Sequence, residues 1–396
     1  MSKYLKQINY LYKRRRYLIY YFCNVCGSKY SLDEIVWNCS CGNYLSLITE
    51  GALKKDDIIN ERYSLWRYEK ALPVKLESST VTLYEGFTPL AKVNWKGIQT
   101  YFKLDYLMPS GSFKDRGTTV MINFLKKLGI KKIVEDSSGN AGASIAAYSA
   151  ASNIECEIFV PESTSAGKLV QIRLYGAKVN LVPGNRDKVA IAAIAKSNIK
   201  EDVFYASHNW HPMFIEGTKT LAFEIWEQLG WDIPDNIVAP LGGGSSILGL
   251  YKGFEELLQA GEISHIPKLF GIQAQNCSPL YSMFQGNTKE FKASPTIAEG
   301  IALEKPIKAN AIIEKIKASG GEVEIVTETE IADALTQAAL IGYYIEPTTA
   351  AALAGVNRLL SFGKISNEEA TVTILTGCGL KASDKISRIP GVFKDE

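Results

Sequence analysis

The stretch KKIVEDSSGNAGASIAAYSAA, residues 131–151, contains the alternation that decides the fold. Residues 133–135, Ile-Val-Glu, predict a strand, residues 136–140 predict a glycine-containing turn, and the alanine-rich residues 141–151 predict a helix. A strand that enters a helix through a short glycine turn is the repeating unit of parallel α/β sheets.

The same unit recurs on both sides of this stretch. Further strands are predicted at residues 157–160, 178–182, 203–206, 237–241, 269–273 and 371–376. Helices are predicted between most of them, at residues 169–175, 216–229, 247–259, 329–341 and 350–360. We therefore expect an α/β protein with mostly parallel sheets, in which ligands bind beyond the carboxyl ends of the strands.

Composition excludes several classes of protein. The 396 residues include 44 Lys and Arg against 42 Asp and Glu, a net charge of +2, which disfavours a nucleic-acid partner bound through a positive surface. No segment reaches the roughly 18–20 consecutive apolar residues of a membrane span. The apolar run 17–22 that follows Lys13–Arg16 is too short for a signal peptide. We expect a soluble, cytoplasmic protein without a membrane partner.

Residues 1–50 form a distinct basic segment that holds four of the seven cysteines. Cys23, Cys26, Cys39 and Cys41 follow the pattern Cys-x-x-Cys and Cys-x-Cys, and a glycine comes after each pair. The spacing resembles a zinc ribbon, and four thiolates suit a structural, tetrahedral zinc ion. The alternative is a metal-free ribbon held by its hairpins.

Two small-residue loops precede predicted helices. Residues 242–246, Gly-Gly-Gly-Ser-Ser, follow a predicted strand, and their N–H groups suit a phosphate. This loop is neither Gly-x-Gly-x-x-Gly nor a Walker loop, and the alternative is a tight strand–helix turn. Residues 137–142 suit a carboxylate, and the Asn140 amide suits a ring oxygen; the alternative is ordinary capping by Ser and Asn.

Lys114 stands within the sequence Ser112-Phe-Lys-Asp115, which predicts a capping box at the start of a helix. A cation in the first turn opposes the helix dipole, so Lys114 is expected to lose its proton more readily than a surface lysine. A neutral lysine is what a Schiff-base nucleophile requires.

Six ordered motifs resemble those of the threonine synthase family, which are fold type II (β-family) pyridoxal-phosphate enzymes. In chain order they are Pro109-Ser-Gly-Ser-Phe-Lys-Asp-Arg-Gly117, Ser137-Ser-Gly-Asn-Ala-Gly-Ala143, Glu216-Gly-Thr-Lys-Thr220, Gly242-Gly-Gly-Ser-Ser246, Glu346-Pro-Thr-Thr-Ala350 and Thr376-Gly-Cys-Gly-Leu-Lys381. The resemblance covers about residues 80–385 and is more specific for family, cofactor and fold than for substrate.

The resemblance implies a tryptophan-synthase-β-like fold that binds pyridoxal 5'-phosphate and forms a homodimer. Its expected parts are an N-terminal arm and zinc-ribbon-like segment at 1–50, a large cofactor-binding domain at 51–116 with 208–396, and a small α/β domain at 117–207.

The resemblance also assigns roles to single residues. Lys114 binds the cofactor covalently and shuttles protons, Asn140 contacts the ring hydroxyl, and Thr376 hydrogen-bonds the pyridine nitrogen. The residues implied for the cofactor phosphate are Gly242, Gly243, Gly244, Ser245 and Ser246, and those for the substrate α-carboxylate are Ser137, Ser138 and Ala141. The implied reaction converts O-phosphohomoserine and water to threonine and phosphate.

Departures from the family concern the substrate. An arginine of the family pattern, a natural ligand for a substrate phosphate, is replaced by Phe214, and a histidine is replaced by Cys378. The residues left to hold a substrate phosphate are Lys168, Arg173, Asn209 and Lys219. Ile297-Ala-Glu-Gly-Ile301 resembles threonine/serine dehydratases, so an ammonia-lyase or β-replacement enzyme stays an alternative, as does a non-catalytic binding or regulatory paralogue.

Overall fold

A computed structural model describes residues 19–49, 52–199, 202–287, 291–390 and 392, without the side chains of residues 166, 168, 198 and 199. The strands in these ranges are β1 Tyr20–Phe22, β2 Lys29–Tyr30, β3 Ser46–Ile48, β4 Leu90–Trp95, β5 Ile98–Lys103, β6 Lys132–Glu135, β7 Glu155–Pro161, β8 Lys178–Val182, β9 Val203–Tyr205, β10 Asn236–Pro240, β11 Lys268–Ala274, β12 Val323–Val326 and β13 Thr371–Ile374.

Helices separate most of the strands, as the sequence predicts. They are α1 Lys114–Lys127, α2 Asn140–Ser152, α3 Ala166–Leu174, α4 Arg186–Ile199, α5 Pro212–Thr218, α6 Thr220–Gln228, α7 Ser245–Ala260, α8 Pro279–Phe284, α9 Ala309–Ala318, α10 Glu328–Leu340, α11 Pro347–Ser361 and α12 Ser383–Ile386. Short 3-10 helices lie at Lys55–Asp57, Leu65–Ala71, Asp105–Leu107, Glu299–Ile301 and Gly379–Ala382.

The strands form three sheets. The largest has the order β12-β11-β10-β13-β5-β4 and is parallel except for the β4–β5 pair. A second sheet, β8-β7-β6-β9, is parallel throughout. A small antiparallel sheet, β2-β1-β3, carries the N-terminal cysteine segment. The prediction of an α/β protein with mostly parallel sheets is confirmed.

In each of the two larger sheets, the strands that follow one central strand are added first on one side of it and later on its other side, so the strand order reverses there. In the large sheet, β11 and β12 follow on one side of β10 while β13 lies on the other side. In the second sheet, β7 and β8 follow on one side of β6 while β9 lies on the other. Loops diverge where the order reverses, and the crevice between them is where ligands of such sheets bind. The glycine loop after β10 and the Asn140 loop after β6 both leave from these points.

The helix predicted at residues 216–229 is in fact two helices, α5 and α6, that meet at Lys219. It begins earlier than predicted because Pro212 occupies the first turn and the ring of His211 accepts a hydrogen bond from the Met213 N–H. Helix α5 lies almost in backbone contact with α1, since a Cβ at Gly217 would stand 1.9 Å from the Arg116 carbonyl oxygen. In the described part of the chain, no helix is both long and apolar enough to span a membrane.

A fully buried cluster of four charges ties α1 to β5 and α6. The Arg116 guanidinium donates to Asp105 through Nε at 2.8 Å and Nη2 at 2.7 Å, and to Glu224 Oε2 at 2.6 Å. The Lys103 ammonium lies 2.7 Å from the same Glu224 oxygen. Two positive and two negative groups balance one another, and each is 0% exposed. Buried charge is tolerated when it is paired and hydrogen-bonded in this way.

Replacing Arg116 by Met is expected to destabilise the fold by about 3–5 kcal/mol, because the Asp105 carboxylate would lose its buried partner. The control is Lys364→Met, which removes a half-exposed pair with Glu322 and is expected to cost less than about 1 kcal/mol. Guanidinium denaturation of both variants in parallel gives the comparison. Equal midpoints for the two variants would contradict this account of the cluster.

Candidate active site

Lys114 begins helix α1, but the predicted capping box is wrong. The Asp115 carboxylate turns back to the preceding loop, where it accepts from the Ser110 N–H at 2.7 Å and from the Ser110 hydroxyl at 2.5 Å. Ser144 of α2 donates to the same carboxylate at 2.6 Å. The buried Ser112 hydroxyl therefore has no hydrogen-bond partner within the described residues. It lies two residues from Lys114 and is available to a ligand.

Backbone hydrogen bonds join the loop before Lys114 to the loop that follows β13. The Phe113 N–H donates to the Thr376 carbonyl at 3.0 Å, and the Cys378 N–H donates to the Gly111 carbonyl at 3.0 Å. The Glu346 N–H in turn donates to the Gly377 carbonyl at 3.1 Å. Three of the sequence motifs are thus held side by side although about 260 residues separate the first from the last.

The pKa of Lys114 is lowered to about 8, first by burial and then by the cation of Arg186. The carboxylates of Glu135 and Glu346 act in the opposite direction. The lower pKa agrees with the sequence expectation, although burial and not the helix dipole is the main cause. At a pKa near 8 a useful fraction of the amine is neutral at physiological pH, which is the form that attacks a carbonyl carbon.

Asn140 and Thr376 approach Lys114 from two other loops. The Asn140 amide Nδ2 lies 3.1 Å from both carboxylate oxygens of Glu346, the residue that precedes helix α11. The Thr376 hydroxyl lies 3.0 Å from the Thr349 hydroxyl, which also accepts from the Gly377 N–H at 2.9 Å. Both positions are therefore fixed by residues of the Glu346–Ala350 motif.

Neighbouring residues approach the backbone of the glycine loop, residues 242–244, so closely that no side chain would fit there. A Cβ at Gly243 would stand 2.5 Å from Asn209 Oδ1, and a Cβ at Gly244 would stand 2.3 Å from Ile312 Cδ1. At Gly242 the obstacle is the Ile301 Cα at 3.0 Å. Helix α7 begins directly after this loop with two buried serines, Ser245 and Ser246, whose hydroxyls make no hydrogen bond within the described residues. Bare N–H groups and free hydroxyls at a helix N-terminus fit a phosphate.

The loop predicted to hold a carboxylate also lies at a helix N-terminus. Ser137 is buried and its hydroxyl accepts from the Gly139 N–H at 3.3 Å, while Ser138 is partly exposed and Ala141 is buried in the first turn of α2. A Cβ at Gly142 would overlap the Ser137 carbonyl oxygen at 1.9 Å, so the tight turn depends on that glycine.

Of the four residues predicted to hold a substrate phosphate, the structure brings only Asn209 to the glycine loop. Lys219 lies elsewhere, because its fully buried ammonium is held 2.7 Å from Glu216 and 2.8 Å from Glu256. Glu256 comes eleven residues after Ser245 in α7, about 16 Å along the helix axis. Arg173 is exposed in the last turn of α3. The Lys168 side chain lies outside the described residues.

Sequence reasoning missed Lys308, a buried lysine that precedes helix α9. It is 5% exposed, and within the described residues no carboxylate lies at ion-pair distance from it. Burial alone lowers the pKa of Lys308 to about 8. Four residues later, Ile312 packs against Gly244, so the start of α9 borders the glycine loop. No motif in the sequence marks this lysine.

A hydrogen-bonded pair that sequence reasoning did not reveal, His208 and Glu135, lies beside Lys114. His208 Nδ1 and Glu135 Oε1 share a hydrogen bond of 2.6 Å. Burial, Lys114 and Arg186 hold the pKa of His208 well below its usual value, so the imidazole is neutral. Burial raises the pKa of Glu135 well above its usual value. The His208 ring lies 5.7 Å from the ring of Phe214, whose centroid is 5.6 Å from the Lys114 Nζ.

The four N-terminal cysteines come together as the sequence predicts. All four Sγ atoms lie within 4.8 Å of one another, with Cys23 and Cys41 at 3.6 Å and Cys26 and Cys39 at 3.4 Å. Sulfur atoms at about 2.3 Å from a tetrahedral zinc ion stand about 3.8 Å apart, so the cluster has the dimensions of a metal site.

Comparison with known proteins agrees with this geometry. Residues 81–377 match the family described as pyridoxal-phosphate dependent enzymes. The chain is 39% identical over 381 residues to a threonine synthase of Methanocaldococcus jannaschii, covering 92% of this chain and 94% of that protein. It is 36% identical to a threonine synthase of Methanosarcina acetivorans, with 91% of each chain covered.

Solved structures show the same fold at lower sequence identity. The processed threonine deaminase isoform 2 of Solanum lycopersicum has a TM-score of 0.65 and 23% identity, and covers 77% of this chain and 84% of its own. An O-acetylserine dependent cystathionine beta-synthase of Helicobacter pylori has a TM-score of 0.64 and 23% identity, with 76% and 95% covered.

Replacing Arg186 by Leu is expected to raise the pKa of Lys114, because a cation that disfavours the ammonium form is removed. The neutral fraction of Lys114 at pH 7.5 falls as a result. The measurement is the rate at which added pyridoxal phosphate becomes fixed by borohydride, followed against pH. The midpoint of this rate against pH, expected near pH 8 in the unmodified chain, should lie at a higher pH in the variant.

The matched control is Lys188→Leu, an exposed lysine of the same helix. Its midpoint should equal that of the unmodified chain. A shift of the same size in both variants would mean that Arg186 acts through general charge and not through proximity to Lys114.

Proposed function

Because the chain belongs to the family of pyridoxal-phosphate dependent enzymes, we propose that it is a threonine synthase that converts O-phosphohomoserine and water to threonine and phosphate. The observation that carries the proposal is Lys114, a lysine of lowered pKa whose loop is joined by hydrogen bonds to those of three other sequence motifs, so that four motifs meet there. The likeness to threonine synthases over more than nine-tenths of the chain supports the substrate.

The residues present fit pyridoxal phosphate. The glycine loop with Ser245 and Ser246 would hold the phosphate, Lys114 would attach the aldehyde carbon, and Thr376 would face the ring nitrogen. Bound there, the cofactor supplies an electron sink for the carbon next to the amino group. A neutral hydroxyl at the ring nitrogen does not require that nitrogen to be protonated, so the Thr376 partner moderates the sink.

The protein's own task is to orient the substrate and to move protons. Ser137, Ser138 and the start of α2 would hold the α-carboxylate through hydroxyls and N–H groups. The Lys114 amine, freed when the substrate is bound, would take the α-proton and later a β-proton. The ring of Phe214 lies beside Lys114, and its apolar face keeps water from the amine.

Three groups can meet the negative charge of a substrate phosphate in place of the missing arginine. Lys308 is a buried cation without a carboxylate partner in the described ranges, which is costly unless an anion binds beside it. Lys308 and Arg186 each act on the pKa of the same residue, His208, so both cations lie close to it. The Asn209 amide at the glycine loop completes the group. We therefore assign the phosphate of the substrate to this cluster.

A second candidate is a threonine/serine dehydratase-like ammonia-lyase or a β-replacement enzyme. Phe214 favours it, since an apolar ring occupies the position of a phosphate-binding arginine. The third candidate, a non-catalytic binding or regulatory paralogue, is disfavoured because Lys114, Asn140 and Thr376 are all in place.

Three further parts of the proposal rest on the sequence. The cysteine cluster would bind a structural zinc ion, since four thiolates leave no open position for chemistry. The enzyme would act as a homodimer in the cytoplasm. Residues 51–116 with 208–396 would form the cofactor-binding domain, and residues 117–207 the smaller one.

The proposed reaction is tested by following phosphate release and threonine formation from O-phosphohomoserine, with L-serine and L-threonine as competing substrates. We expect equal amounts of phosphate and threonine, and at most slow formation of pyruvate or 2-oxobutyrate. Rapid keto-acid formation from the unphosphorylated amino acids would favour the dehydratase. A coloured, cofactor-loaded protein that transforms none of these substrates would favour the non-catalytic candidate.

Replacing Lys308 by Met is expected to raise the KM for O-phosphohomoserine by about 10–100-fold, as for the loss of a charge-assisted contact of about 1.5–3 kcal/mol. The cofactor absorbance should stay unchanged. In the unmodified enzyme the KM should rise as the pH passes about 8, because the ammonium is lost above its lowered pKa. That dependence should disappear in the variant.

Lys308→Arg is the matched control, since it keeps the charge and should restore part of the affinity. Lys305→Met, a neighbouring lysine in the same loop, controls for general charge. A KM for Lys308→Met equal to that of the unmodified enzyme would place the substrate phosphate elsewhere.

A further inference from the structure

The cysteine segment, residues 20–48, packs on the active-site loop that follows β9, residues 206–211. The ring of Trp37 meets Trp210 edge-on at 5.2 Å and Tyr205 at 4.9 Å between centroids. Tyr21, which is fully buried, meets the ring of His211 edge-on at 6.2 Å. Edge-to-face contacts between aromatic rings are favourable beyond the apolar area that they bury.

The loop that these rings support carries two residues of the candidate site. Asn209 lies against Gly243 of the glycine loop, and His208 is hydrogen-bonded to Glu135 beside Lys114. Each of them is next to, or within two residues of, a residue that a ring of the cysteine segment touches. A shift of Trp37 or Tyr21 would therefore displace the loop that positions Asn209 and His208 in the candidate site.

A further contact reaches the cluster assigned to the substrate phosphate. The Lys308 Nζ lies 5.6 Å from the ring centroid of Tyr44, which comes three residues after Cys41. A cation at this distance from an aromatic face is attracted to it. The cysteine segment thus borders the candidate site on two sides, at Trp210 and at Lys308.

The cysteine segment is too small to hold its own shape. Its strands have three, two and three residues, and about 30 residues cannot bury a sufficient core. Trp37 lies two residues before Cys39, so a bond from that sulfur to a metal would fix the tryptophan. Without a metal the sulfurs take up protons, and the bonds that join the Cys-x-x-Cys and Cys-x-Cys halves through one centre are lost.

We infer that the metal held by Cys23, Cys26, Cys39 and Cys41 positions the active-site loop 206–211 through Trp37 and Tyr21, and so sets the affinity for the phosphorylated substrate. The inference rests on the proposed zinc ion and on the proposed substrate. The four cysteines take no part in the chemistry, and Trp37 and Tyr21 are positioning residues. Metal binding and substrate binding are then thermodynamically coupled, each strengthening the other.

The test compares the zinc-loaded holoenzyme with the same protein after removal of zinc by a chelator, with metal counted per chain. Hydrogen exchange of the peptide 203–215 is the readout that does not depend on turnover. We expect its amides to exchange about tenfold faster without zinc, and the KM for O-phosphohomoserine to rise about tenfold, a coupling of ordinary size. The visible absorbance of the cofactor should stay unchanged.

A Trp37→Leu variant separates this role from general unfolding, because it keeps the four thiolates. It should retain zinc and still show faster exchange at 203–215 and a higher KM. Ile35→Ala, an exposed position of the same segment, is the matched control and should behave like the unmodified enzyme.

Unchanged exchange at 203–215 in protein shown to have lost its zinc would overturn the inference, whether or not the enzyme turns over. A zinc content of zero in protein produced with ample zinc would remove the metal and the inference together. Faster exchange on zinc removal, with no turnover of O-phosphohomoserine in either form, would support the positioning role and remove the proposed reaction alone.

Discussion

The buried cluster of Arg116, Asp105, Glu224 and Lys103 is the interaction on which the site depends. It joins the first turn of α1 and the end of β5 to α6, which comes about 100 residues later in the chain. Two charges of each sign cancel, so the interior carries no net charge at this point. Lys114 stands two residues before Arg116 in the same helical turn, so the charge cluster also fixes the position of the Lys114 backbone.

The other charges around Lys114 do not cancel in this way. Within the described ranges, no carboxylate lies at ion-pair distance from Arg186 or Lys308. Burial and these neighbouring cations hold the pKa of His208 well below its usual value, and burial raises the pKa of Glu135. An excess of positive groups in a partly dry crevice is unfavourable until anions enter it. Two phosphates and a carboxylate, as the proposed cofactor and substrate would bring, supply that compensation.

The sequence was sufficient wherever one short segment determines a structure. The loop before α7 could be recognised because glycine is required where Asn209 and Ile312 approach the backbone. Lys114 could be recognised because its unusual place in a first helical turn is local. Cys23 to Cys41 could be grouped because metal ligands follow short spacings.

Features that arise from packing between distant segments were missed or misplaced. Lys219 belongs to a motif, yet its ammonium forms ion pairs with Glu216 and Glu256. The pair with Glu256 depends on the packing of α5 against α7, which the sequence does not show. The antiparallel β4–β5 pair at the sheet edge was not predicted, because its residues lack the helix-alternating context of the other strands. Lys308 has no motif, since its role depends on burial alone.

Phe214 stands where the resemblance to threonine synthases implies an arginine, and its surroundings show how charge and apolar surface can exchange places within one crevice. Phe214 packs so closely on α1 that a Cβ at Gly117 would lie 2.6 Å from its ring, and a guanidinium in that space would have no room for water. The phenyl ring instead dries the space between Lys114 and His208, which lowers the pKa of the lysine by burial. The positive charge reappears at Arg186 and Lys308, on elements that reach the same point from other parts of the chain. A motif comparison records only the loss, because it aligns positions along the chain, whereas an anion responds to charges by their distance in space.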